Sequence, residues 1–181
     1  IGQFFFFFGI EAEDRVCLFM DKVPELYIGL LGVVKIGAIA QPLFSAFGDE
    51  SLFVRLDNAK TRAIITQRKH VSKVRKILDQ MPYLEHIIIV DHDGVKSLKE
   101  REIPFDMDNS APVEHLDIHP TKADSPSVLH YTSGTTGQPK GVQHVHYSLI
   151  SQYLTTKWVL DIQDSDIYWC TADPGWVTGT S

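Results

Sequence analysis

Short apolar runs alternate along this chain with stretches in which apolar residues return every three or four positions. The runs predict strands and the longer period predicts helices. Strands are expected at 15–20 (RVCLFM), 38–43, 62–66 (RAIIT) and 86–91 (HIIIVD). Helices are expected at 24–37, with Pro24 in its first turn, and at 49–59, with Leu52, Leu56 and Ala59 on one face. A third, at 68–80, sets Val71, Val74 and Leu78, then Met81, at core spacing. A β-α-β-α order implies an α/β fold: a mostly parallel sheet with helices on both faces.

From 92 to 126 the pattern dissolves. Pro104, Pro112, Pro120 and Pro126 are mixed with Asp and Glu, which reads as an exposed connection. It separates a first α/β portion, 1–91, from the start of a second, 127–181. There a strand is expected at 127–132 and a helix at 144–160, with Leu149, Ile150, Tyr153, Leu154 and Trp158 facing inward. Another strand is expected at 166–171 (DIYWCT), with Trp169 a core aromatic. The stop at Ser181, just after a further loop begins, reads as a partial chain.

Composition narrows the class. The 181 residues can bury one sizeable core, and 44% apolar with 22% charged residues is ordinary for a globular protein. A net charge of −6 gives no reason to expect nucleic acid. Cys17 and Cys170 both sit in apolar runs, which favours buried free thiols and a cytoplasmic setting. The longest apolar run, 26–44, is broken by Lys35, Gly29, Gly32 and Gly37, so it is a poor membrane span. No basic residue precedes the early apolar stretch, so no signal peptide is expected. Five consecutive phenylalanines, 4–8, read as a buried strand or an artefact and carry no functional weight.

The chemistry concentrates at 131–141, YTSGTTGQPKG, between a strand and a helix pattern. Gly134, Gly137 and Gly141 let the backbone approach a ligand closely. Successive N–H groups in such a turn form an anion nest. Ser133, Thr135 and Thr136 add hydroxyls, and Lys140 adds a mobile positive charge. From Ser125 to Leu160 there is no Asp or Glu, although the chain has 23 of them, which suits a polyphosphate. A flexible Ser/Thr/Gly linker is the plain alternative, disfavoured by the flanking patterns. A Walker loop fails on register: Pro139 stands where Gly is needed, and Gly141 follows Lys140. Ser133 lacks the G-x-S-x-G setting of a hydrolase nucleophile.

This segment resembles, over its whole length, the phosphate-loop signature of the adenylate-forming superfamily. That superfamily includes acyl-CoA synthetases, luciferases and the adenylation domains of peptide synthetases. Residues 169–179 (WCTADPGWVTG) resemble the run that walls the acyl pocket in acetyl-CoA synthetases. Residues 25–47 (PELYIGLLGVVKIGAIAQPLF and its flanks) resemble a helix–strand pair common to the superfamily. Pro174 and Thr180 depart from the pattern, where many acetyl-CoA synthetases carry an aliphatic residue and His.

The resemblance implies part of the N-terminal domain of the acyl-CoA synthetase fold. It implies ATP, Mg²⁺ and CoA as cofactor and co-substrates, with acetate or another short acid as substrate. Thr132, Ser133, Gly134, Thr135, Thr136, Gly137 and Lys140 would hold the phosphates, with Lys140 and Thr135 stabilising charge during reaction. Trp176, Val177 and Thr178 would border the acyl site. The family's downstream Mg²⁺ acid, ribose-binding Asp and catalytic Lys fall beyond Ser181, so residues 1–181 alone are expected to be inactive. An adenylation domain loading a carrier protein, or a non-catalytic nucleotide-binding fragment, would share the same loop.

Other candidates are weaker. His144 and His146 have no nearby Cys or carboxylate, and no metal site is expected. Arg68, Lys69, Lys73, Arg75 and Lys76 read as a solvated helix face, with a CoA contact as the alternative. Asp91-His92-Asp93 reads as a turn.

Overall fold

The computed structural model describes residues 5, 8–92, 98–105, 117–133 and 137–180. Seven strands form one sheet: β1 (Arg15–Phe19), β2 (Ile39–Pro42), β3 (Ala63–Thr66), β4 (His86–Ile89), β5 (Glu102–Pro104), β6 (Pro126–Thr132) and β7 (Lys140–Val145). Their spatial order is β5-β4-β3-β1-β2-β6-β7. All neighbours pair in parallel except β6 and β7. The helices are α1 (Pro24–Lys35), α2 (Asp49–Ala59), α3 (Arg68–Ile77), α4 (Tyr147–Val159) and a single turn, α5 (Val177–Thr180).

The continuous apolar runs are explained by two buried faces. In β1, Val16 and Leu18 join one core while Cys17 and Phe19 join the other. β3 divides likewise, with Ala63 and Ile65 against Ile64, and β4 sets Ile88 against Ile87 and Ile89. On one face lie Leu52, Leu56 and Ala59 of α2 and Val71, Val74 and Ile77 of α3. On the other lie Leu26 and Val33 of α1. Each fully buried aliphatic side chain contributes about 1.5–3 kcal/mol of transfer free energy. Gly29 sets how closely α1 approaches the sheet, because a Cβ there would meet Ile65 Cδ1 at 3.0 Å.

Two buried polar groups are matched. Gln41 accepts from the Thr61 hydroxyl at 2.6 Å, deep between β2 and the α2–β3 turn. Glu102 of β5 takes two hydrogen bonds from Arg75 of α3, at 2.7 and 3.0 Å. Burial, the largest single influence, would raise the Glu102 pKa, but the Arg75 hydrogen bonds, the Lys99 amide and the charges of both residues together hold it below the usual value.

The α/β expectation stands, with local corrections. Strand β5 falls inside the stretch read as irregular, 92–126. Three residues are too few to show a period, and they become a strand by pairing with β4. Strand β7 occupies residues read as loop and helix start, so α4 begins at Tyr147 rather than at 144. Helix α4 buries none of its residues. Leu149, Ile150, Tyr153 and Trp158, expected inward, are exposed, Trp158 by 73%. Apolar spacing reports which face can be buried, not whether a partner packs on it.

No strand forms at 166–171. Ile167 is 99% and Trp169 81% exposed, so Trp169 is not a core aromatic. An apolar hexamer needs a strand beside it to become one, and these residues pair with none among those described. Cys17 is a buried free thiol, but Cys170 is only half-buried. Of the phenylalanine run, Phe5 is fully buried, and Phe8 lies 5.6 Å from the His86 ring. Phe4, Phe6 and Phe7 are outside the described residues.

The Arg75→Met variant leaves the Glu102 carboxylate, 1% exposed, buried without its cation. Urea unfolding at neutral pH is expected to show a loss of about 3 kcal/mol. Because the folded Glu102 pKa is lowered, the pair's contribution is present above the unfolded carboxylate pKa and fades as pH falls through the folded one. The difference between wild type and variant should therefore shrink in acid.

Candidate functional site

Open α/β sheets bind ligands beyond the carboxyl ends of their parallel strands. β1, β2, β3 and β6 run together, so Phe19, Pro42, Thr66 and Thr132 end at one edge. At that edge β6 turns back as the antiparallel β7. Thr132 pairs with Lys140 at the last rung of the ladder. Thr132, Ser133, Gly137 and Lys140 are all exposed. Gly137 has φ +82°, with open space where a side chain would stand. Gly134, Thr135 and Thr136 lie outside the described residues.

The loop's base is rigid. Tyr131 is buried in the core, and its hydroxyl donates to Asn58 Oδ1 at 2.7 Å. Burial pushes its pKa up to about 12. Across the ladder stands Gly141. A Cβ there would lie 3.1 Å from Leu129 Cδ1 and 3.6 Å from the Tyr131 ring. The first and last residues of YTSGTTGQPKG thus form an anchor at the sheet edge.

The second segment runs along the same edge. Lys22, beyond the end of β1, donates to the Cys170 carbonyl at 3.2 Å. Asp173 Oδ1 accepts from the Gly175 amide at 2.7 Å, and burial raises the Asp173 pKa. Gly175 lies against the backbone just past β2, where a Cβ would come within 2.1 Å of Phe44 N. This contact sets the position of Trp176, 51% exposed, whose ring is 6.3 Å from that of Phe44. Val177 and Thr178 are exposed on α5, and the Thr180 hydroxyl lies 3.1 Å from His130 Nε2. Because β2 and β6 are neighbours, the Trp176 segment and the glycine loop occupy adjacent positions on one edge.

Comparison with known proteins agrees. The AMP-binding enzyme family matches residues 2–181. The chain belongs to the AMP-binding enzyme family. It is 45% identical over 171 residues to an acetyl-coenzyme A synthetase of Bacillus subtilis, covering 94% of this chain and 29% of that protein. To an acetyl-coenzyme A synthetase of Pyrobaculum arsenaticum it is 38% identical, covering 96% and 28%. A crystal structure of a Brucella canis acyl-CoA synthetase superimposes with a TM-score of 0.86 at 30% identity, over 99% of this chain and 32% of that one. The chain thus spans less than a third of the length of these relatives.

In this member of the AMP-binding enzyme family the basic face of α3 is largely solvated, as expected, with Lys69 and Lys76 exposed, and its cations also have partners. Lys69 pairs with Asp21, Arg75 with Glu102 and Lys76 with Asp49, while Lys73 donates to the Ser45 carbonyl. Each partner comes from another element, so spacing along α3 could not reveal it. His70 Nε2 also meets Asp21, at 2.9 Å.

Two groups escaped sequence reasoning. Arg55 stacks over the Phe47 ring at 4.1 Å and pairs with no carboxylate among the described residues. His130 is 3% exposed and lies in the strand leading to the loop. Neither stands in a motif, and only tertiary packing marks them. No helix among the described residues is long and apolar enough to cross a membrane.

Replacing Gly175 by Ala forces a side chain into the Leu43–Phe44 backbone. The expected result is displacement of residues 174–180, read as faster proteolytic cleavage there with the sheet still protected.

Proposed function

We propose that this chain is part of an ATP-dependent acetate–CoA ligase acting in the cytoplasm. One observation carries the reading: an exposed, firmly anchored glycine–hydroxyl loop ending in Lys140 stands beside the Trp176 segment on the carboxyl edge of the sheet. The names of the relatives support acetate, or another short acid, as the acid activated.

In this reading the acyl carboxylate attacks the α-phosphorus of ATP. The bond to the β-phosphate oxygen breaks, pyrophosphate leaves and an acyl-adenylate forms. The CoA thiolate then attacks the acyl carbon and AMP leaves. The hydroxyls of Thr132, Ser133, Thr135 and Thr136, with the loop amides at Gly134 and Gly137, hold the β- and γ-phosphates. The Lys140 ammonium follows the charge that builds on the departing pyrophosphate. Trp176, Val177 and Thr178 border the acyl group, and the indole leaves room only for a short chain. The described residues contain no group of three His, Cys, Asp or Glu side chains able to hold a metal ion. Residues 1–91 and 127–181 are read as two portions of one larger domain joined through 92–126.

The test uses acetate-dependent ATP–pyrophosphate exchange. In the full-length protein, Lys140→Ala is expected to lower exchange about 100-fold or more, with circular dichroism unchanged. Residues 1–181 alone are expected to give none. Unchanged exchange in the Lys140 variant would leave a nucleotide-binding scaffold as the reading. Acyl transfer to a carrier protein in place of CoA would identify a carrier-loading adenylation domain.

A further inference from the structure

The acyl segment and the phosphate loop leave the sheet on different strands, yet one side-chain contact joins their supports. Thr180 closes the single turn α5, which begins one residue after Trp176. Its hydroxyl oxygen lies 3.1 Å from Nε2 of His130 and 3.5 Å from the Trp176 carbonyl. His130 stands in β6, two residues before Thr132. The partners are 50 residues apart in sequence, and His130 is 3% exposed.

The imidazole is costly where it stands. The crevice around it is lined by Leu30, Leu31 and Val34 of α1, and the His144 ring meets it edge-on at 5.4 Å. Burial, with some help from His144, pushes the His130 pKa down to about 4, so the ring is neutral at ordinary pH. Nδ1 is buried with no hydrogen-bond partner among the described residues. An unmatched buried nitrogen costs stability, and an apolar residue would avoid that cost. The polar return on this side chain is its bond to Thr180. At the other end of the segment, Gly175 against Phe44 positions Trp176.

We propose that the His130–Thr180 hydrogen bond is a latch that registers residues 176–180 against the strand carrying the phosphate loop. It makes His130 and Thr180 positioning residues for the acyl carboxylate. The latch itself stands on the contact described here; its role toward acetate rests on the ligase reading above.

Four variants of the full-length protein test it: Thr180→Val, His130→Phe, the two combined, and Thr180→Ser. The first measurement, amide hydrogen exchange at Trp176 and Gly179, needs no substrate. These amides donate to the Asp173 and Trp176 carbonyls at 3.0 and 2.9 Å. Thr180→Val and His130→Phe should each speed their exchange about five-fold, the size of one neutral hydrogen bond. The double variant should be no faster than either single one, Thr180→Ser should match wild type, and β6 should stay protected. His130→Phe should not lower the melting temperature, because it removes the unmatched Nδ1. The second measurement is the acetate KM in pyrophosphate exchange, which should rise by a similar factor while the ATP KM stays unchanged.

Unaltered amide exchange in Thr180→Val, or additive effects in the double variant, would overturn the latch. Altered amide exchange with an unmoved acetate KM, or with an equal rise in the ATP KM, would overturn the positioning role. Wild-type protein that lacks acetate-dependent pyrophosphate exchange would remove the ligase reading, and the amide measurements would still decide the latch.

Discussion

Parallel pairing through β1, β2 and β6 is the constraint on which the rest depends. Parallel strands share a direction, so their carboxyl ends collect at one edge, and every connection leaving that edge is free to carry chemistry. The price of such a sheet is burial on both faces, and the Val, Ile and Leu runs of β1, β3 and β4 meet it. With the frame held from two sides, the edge can bear exposed loops without losing its shape.

The reversal at β6 changes what that edge presents. Most neighbouring strands here run parallel, but β7 returns antiparallel, so Thr132 and Lys140 are brought together at the edge. Tyr131 and Gly141 face each other at the next rung. One fills the core and bonds Asn58, and the other omits a side chain that would press on Leu129.

Charge follows the same separation. On α3 most of the cations are consumed by Asp21, Glu102 and Asp49 or by a carbonyl, which ties helices and loops to the sheet. Around the loop the chain carries no carboxylate from Ser125 to Leu160, and Lys140 is left exposed.

How much of this could be read from the chain depended on how local the physics was. Two-sided burial leaves a long apolar run, so β1, β3, β4 and helices α1 to α3 were legible. Glycine and hydroxyl residues at close spacing marked 131–141 as a candidate anion nest, and of these Gly134, Thr135 and Thr136 lie outside the described residues. What tertiary structure alone decided was partnership. It made β5 and β7 strands by pairing them, left Trp169 and the apolar face of α4 exposed, and set Arg75 of α3 on the buried Glu102 carboxylate. It also set Thr180 on His130 across 50 residues. A side chain's type is written in the sequence, but the surface it meets is supplied by residues far away in the chain, and no local pattern records them.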